Sequence, residues 1–160
     1  MKSVLRRFGL LALFAVTLAG VGLHGSCVQA QTNNWEYSDA WGGWLDWDTG
    51  LVWGEHGINV AQTSFMWNTV DPYLENYRTL TGISQWRLPT VAESQMAVSH
   101  GINAVVPGGR TGLACWTSES KSKGWAKSAH YAVFLSSGNV TLFNNSSALD
   151  VIPVYRLFTP

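Results

Sequence analysis

QWRLPTVAE, residues Gln85 to Glu93, is the stretch whose reading decides the fold. Thr90 followed three residues later by Glu93 is a capping box. The Thr90 hydroxyl accepts from the Glu93 amide, and the Glu93 carboxylate accepts from the Thr90 amide. The pattern predicts a helix that begins after Thr90 and stops at Gly101. A second helix is expected upstream, within residues 60 to 82. There Asp71 is read as N-cap, Pro72 as its first helical residue, and Tyr73, Leu74, Tyr77 and Leu80 as its apolar stripe, with Gly82 as the stop. Further upstream, Leu51-Val52-Trp53 reads as a short strand after the turn Asp48-Thr49-Gly50. Residues 31 to 45 read as an irregular, aromatic lead-in.

Downstream of Gly101 the texture changes. VVPGGRTG (105–112) is turn-rich, ACWTS (114–118) reads as a strand, and SKSKGWAKS (120–128) as a polar loop. HYAVFL and VTLF flank SSGN, which predicts a hairpin with Gly138 in its turn. VIPVYRLF is the closing strand, entered at an edge or through a bulge because of Pro153. A strand, two helices and then several strands make an α+β domain with an antiparallel sheet.

The first thirty residues stand apart. Lys2, Arg6 and Arg7 precede an uncharged apolar run, and Val28 and Ala30 occupy the small-residue places of a cleavage site before Gln31. This is the pattern of a secretory signal peptide. The run is shorter than the ~20 residues a spanning helix needs, so a membrane anchor is disfavoured. Arg6-Arg7 leaves the twin-arginine route open. Lipid anchoring at Cys27 is the alternative, against which His24 stands where an aliphatic residue is wanted. Cleavage would leave seven basic against ten acidic residues, a net charge of −3 with His neutral. That balance argues against nucleic acid as a partner. The domain organisation expected is a leader (1–30), an aromatic segment (31–43) and one domain (44–160). Cys115 is then the one remaining thiol, so the core and its tryptophans must supply the stability.

Three segments together resemble a known family. They are LDWDTGLVW (45–53), QWRLPTVAE (85–93) and CWTSES (115–120), followed in order by AVFLSSGNVTLF and VYRLF. The chain resembles the DUF1566 family, the C-terminal domain type of the Legionella collagen-like adhesin, over about residues 44 to 158. The resemblance implies a C-type-lectin-like fold, with two helices packed on twisted antiparallel sheets and long loops. Members are mostly exported bacterial proteins, and the adhesin itself is a trimeric, glycosaminoglycan-binding attachment protein. At motif positions stand Asp46, Trp53, Trp86, Arg87, Pro89, Thr90, Glu93, Trp116 and Arg156, to which the resemblance gives structural roles. Trp53, Trp86 and Trp116 also lie in regular apolar elements and are expected in the core, whereas Trp35, Trp41, Trp44 and Trp125 lie in segments read as loops. Arg87 and Arg156 are each expected as a buried arginine paired with a carboxylate.

Catalytic chemistry finds little support. Cys115 reads as a buried small hydrophobe, Ser118 and Ser120 have no evident His and acid partners, and the cysteine pair of the formylglycine-generating enzymes is missing. His56, His100 and His130 show no zinc-ligand spacing. Asp46 and Asp48 could offer oxygens to calcium but form no twelve-residue calcium loop, and the sugar-binding triplets of calcium-dependent lectins are absent. No metal or cofactor is expected. The remaining constellation is Lys121, Lys123, Trp125 and Lys127, a cation cluster around an aromatic ring. With Trp41 and Trp44 it forms the expected ligand-binding set, suited to an acidic or sulfated glycan. The expected function is an exported binding module for a surface glycan or protein. The alternative is a structural envelope protein that assembles with partners through the aromatic N-terminal segment, and an enzyme ranks third.

Overall fold

The computed structural model describes residues 34–55, 64–106, 114–123 and 127–160. The described chain is a mixed α+β arrangement of two antiparallel sheets and three helices. The first sheet has the order β1 (Trp35–Ser38), β2 (Gly43–Asp46), β3 (Leu51–Gly54), β7 (Val154–Arg156). The second contains β4 (Ala114–Lys123), β5 (Lys127–Phe134) and β6 (Val140–Asn144). The helices are α1 (Trp67–Thr81), α2 (Val91–Ser99) and the single turn α3 (Ile102–Val105).

Register explains why LVW is apolar without alternation. Residues directly opposite one another share a face of the sheet. Leu45, Val52 and Tyr155 stand opposite one another and pack with Val70, Tyr73 and Tyr77 of α1 and with Trp86. On the other face, Leu51, Trp53 and Val154 join Trp35, Ala97 of α2, and Ile102 and Val106 around α3. The sheet is therefore covered on each face, and each of its central residues needs to be apolar. The expected core tryptophans are there. Trp53 is 1% exposed, and Trp86 and Trp116 are fully enclosed. Trp86 donates from Nε1 to Thr81 Oγ1 (2.9 Å) and meets Tyr77 and Tyr155 edge-on. Trp116 donates to the Phe65 carbonyl (2.7 Å). Satisfying the indole N–H lets such a large ring be buried without loss.

The capping box forms as the sequence requires. Thr90 Oγ1 accepts from the Glu93 amide, Glu93 accepts from the Thr90 amide, and Gly101 follows the helix in the left-handed region (φ 82°). Gly82 (φ 71°) closes α1. The β5–β6 hairpin and its Gly138 turn (φ 74°) also match. Pro153 directly precedes the edge strand β7, whose outer side is covered by Arg87: the Arg87 amide donates to Val154 O and the Val154 amide to Arg87 O.

Four expectations are corrected. The aromatic lead-in is not irregular, because residues 35–38 and 43–46 are β1 and β2, paired Trp35↔Asp46 to Ser38↔Gly43. Its aromatic residues fit a half-buried pleat, with Trp35 turned inward. Helix α1 begins at Trp67, so Asp71 and Pro72 lie in its second turn. The Thr69 amide and hydroxyl both donate to Met66 O, and Trp67 stacks on His130, so tertiary packing holds a turn that local signals placed outside the helix. Leu80 is 49% exposed, and Val70 takes its place in the buried stripe. SKSKGWAKS is not a loop over most of its length, since Lys121↔Ala129, Ser122↔Ser128 and Lys123↔Lys127 extend the β4–β5 ladder. The glycine-rich residues 107–113 fall outside the described residues.

Candidate functional site

The β2–β3 turn is built around one buried side chain. Asp46 is fully enclosed. Its Oδ1 accepts from the Asp48 amide (3.1 Å), and its Oδ2 accepts from Thr49 Oγ1 (2.8 Å). Its carbonyl takes the amides of Thr49 and Gly50. Gly50 then turns the chain with φ 66°, and a Cβ there would run into the Phe158 carbonyl, so only glycine fits. A carboxylate that satisfies its own loop in this way fixes the turn geometry.

The fixed turn holds Trp47 outward, 47% exposed. Its Nε1 donates to Glu36 Oε2 (3.0 Å), Trp41 meets it edge-on (centroids 6.2 Å apart), and Phe158 lies 5.6 Å away. Trp41 is anchored in turn: its carbonyl accepts from Tyr155 Oη (3.1 Å). Three rings from three chain segments therefore form one aromatic surface whose central ring is oriented before any ligand arrives. The Glu36 carboxylate borders it. Tyr37 donates to Asp39 (3.0 Å), and the hydrogen bonds of Asp39 and Glu55 push its phenol up to about 12.

His100 comes to the same turn from the end of α2. Its Nδ1 lies 2.8 Å from Asp46 Oδ2 and 4.0 Å from Asp48 Oδ2. Its backbone carbonyl accepts from Trp35 Nε1 (2.7 Å), and Asn34 donates to Asp48 Oδ2 (2.6 Å). Asn34, Asp48, Ser99 and His100 line a cleft beside this group.

The motif arginines converge on Glu93 rather than being buried. Arg87 makes a two-pronged contact with Glu93 (2.7 and 2.8 Å), yet 42% of its side chain is exposed. Arg156 donates to Thr49 O (2.8 Å), stands 3.9 Å from Glu93, and is 44% exposed. The expectation of buried arginines is therefore corrected, and removing either one leaves no enclosed, unpaired charge of the costly kind. Burial alone would raise the Glu93 carboxyl, but hydrogen bonds from Arg87 and the Thr90 amide reverse this and hold it down at about 2.

Of the expected ligand-binding residues, Trp41 is half-buried and belongs to the aromatic surface. Trp44 is also half-buried: it packs against the second core cluster and against Tyr37, and its indole nitrogen is buried without a hydrogen-bond partner. Trp35 is core, 9% exposed. Lys121 is exposed on β4, and Lys123 and Lys127 pair across the β4–β5 ladder. Trp125 and His56 lie outside the described residues. Two residues escaped the sequence reading. Trp47 had a signal, since it stands at a central position of the turn closed by the Thr49 amide on the Asp46 carbonyl. His100 had none, because it meets Asp46 across 54 residues.

Cys115 is 2% exposed, and burial pushes its thiol well above the usual range. His130 is enclosed between Trp67 (ring centroids 3.4 Å, stacked) and Trp116, and burial lowers its imidazole. Neither group is open to a substrate.

No curated protein and no solved structure matches the chain. The family model of the Lcl C-terminal domain, a domain of the Legionella collagen-like adhesin, matches residues 42–155, from the β1–β2 turn into β7. With that match covering most of its length and taking in the Asp46 turn, the capping box and the closing strand, the chain belongs to the Lcl C-terminal domain family.

Proposed function

We propose that this protein is an exported, non-catalytic binding module, built on a C-type-lectin-like arrangement, that recognises a surface glycan. The observation that carries this reading is the exposed Trp47 ring, held by Glu36, Trp41 and Phe158. An oriented aromatic face loses little side-chain freedom on binding and offers an apolar plane to the C–H face of a sugar ring. The bordering carboxylate of Glu36 is an acceptor for sugar hydroxyls. The extended β4–β5 hairpin with Lys121, Lys123 and Lys127 supplies positive charge and favours an acidic or sulfated glycan over a neutral one. The enclosure of Cys115 and His130 supports binding rather than turnover.

The test is a glycan array read with and without calcium at two salt concentrations. Salt-sensitive binding to acidic glycans that is lost in Trp47→Ala and weakened in Lys121→Ala supports the reading. Absence of binding to every glycan contradicts it. A second reading, assembly with envelope proteins, is favoured by β1, which ends the order of the first sheet and whose outer edge is not paired with another described strand. Its signature is concentration-dependent association that Tyr37→Pro abolishes.

A further inference from the structure

Asp46 raises a question that the turn alone does not answer. It is a fully enclosed carboxylate, yet among the described residues neither Lys nor Arg pairs with it. Enclosed carboxylates ordinarily have a cationic neighbour. The nearest candidate is a group that is cationic only when protonated, the imidazole of His100, 2.8 Å away. A second carboxylate, Asp48, lies 4.0 Å from the same nitrogen, so two negative groups face one imidazole.

We infer that Asp46, Asp48 and His100 form a binding site for a divalent transition-metal ion of the zinc or manganese type. The donor atoms Asp46 Oδ2, Asp48 Oδ2 and His100 Nδ1 come from two separate elements and lie within 4.8 Å of one another. Metal–donor bonds of about 2.0–2.2 Å place neighbouring donors about 2.8–4.2 Å apart. The nitrogen-to-oxygen separations of 2.8 and 4.0 Å fall in that range. Asp48 is 46% exposed, and a rotation that gives up its contact with Asn34 closes the remaining gap. One imidazole and two carboxylates select a borderline ion, whereas calcium takes oxygens alone.

The surroundings suit this use. Thr49 and the Asp48 amide hold Asp46, and Trp35 holds the His100 backbone, so two of the three donors are preset. His100 binds through Nδ1 with its proton on Nε2, and the ion takes the place of the proton that otherwise lies between Nδ1 and Oδ2. Three protein donors leave positions open toward the cleft lined by Asn34 and Ser99. Water fills them at rest, and hydroxyl or carboxylate oxygens of a ligand are the chemistry that would replace it. The site stands on its own residues and does not depend on the glycan reading.

The experiment is calorimetry and thermal unfolding of the untagged protein with zinc, manganese and calcium chloride, alongside Asp48→Asn and His100→Gln. The expected result is one zinc or manganese ion per chain, a raised Tm, and no response to calcium. Asp48→Asn, at an exposed position, should fold normally and bind at least about tenfold more weakly. A cobalt-substituted sample should show visible absorption that His100→Gln removes. The proposal is overturned if neither zinc nor manganese binds, or if both variants bind as tightly as the parent. Should His100→Gln fail to fold, Asp48→Asn still decides.

Discussion

Trp86 and Trp47 are the same side chain put to opposite uses. Trp86 is enclosed by Tyr77 and Tyr155 and gives its N–H to Thr81 inside the fold. Trp47 is half open and gives its N–H to an exposed carboxylate, Glu36. The first ring gains its stability from burial. The second is oriented by its neighbours while its face stays in solvent, open to a partner. The difference lies in the flanking residues. Trp86 precedes a capping box that locks the chain against β7, whereas Trp47 lies between two turn aspartates.

That contrast can be broken in order of effect. Trp86→Ala or Trp116→Ala should cost about 3–5 kcal/mol in urea unfolding, as removal of an enclosed ring leaves a cavity. A loss under about 1 kcal/mol would mean the ring is not core. Gly50→Ala should cost about 1–3 kcal/mol, because φ is positive and the added Cβ meets the Phe158 carbonyl. It should also disturb Trp47 fluorescence, since the turn carries that ring. Glu93→Gln keeps an acceptor for the cap but removes the charge facing Arg87, and should cost about 1 kcal/mol at neutral pH given the exposure of the arginine. The folded-state value near 2 lies below the ordinary glutamate value, so this contribution is present above that ordinary value. It is lost as pH falls from about 4.5 toward 2, and the parent and Glu93→Gln stability curves should converge there. The smallest effects are expected at Lys121→Ala and Trp47→Ala, each within about 0.5 kcal/mol of the parent.

The elements written in local chemistry were legible. The Thr90–Glu93 box, Gly82, Gly101, the Gly138 hairpin and the three core tryptophans all depend on neighbours within a few residues or on simple apolar pattern. What stayed hidden depends on long-range pairing. Strand β1 reads as a loop until its partner β2 is known, and α1 gains its first turn from Trp67 packing on His130 and Trp116. The polar β4–β5 extension has no apolar alternation in its sequence, so its strand character was invisible. At the site, the sequence pointed to tryptophans and lysines as classes. It could not say that Trp44 packs against the second core cluster while Trp47 turns outward, nor that His100 closes on Asp46.

The most direct test of the central claim compares Trp47→Ala with the parent protein on the acidic and neutral glycan array, with Tm measured on the same samples. The account predicts an unchanged fold and at least tenfold weaker glycan binding, on the order of 1.4 kcal/mol. Full retention of glycan binding by a folded Trp47→Ala protein would contradict it and would remove the aromatic surface from the binding site.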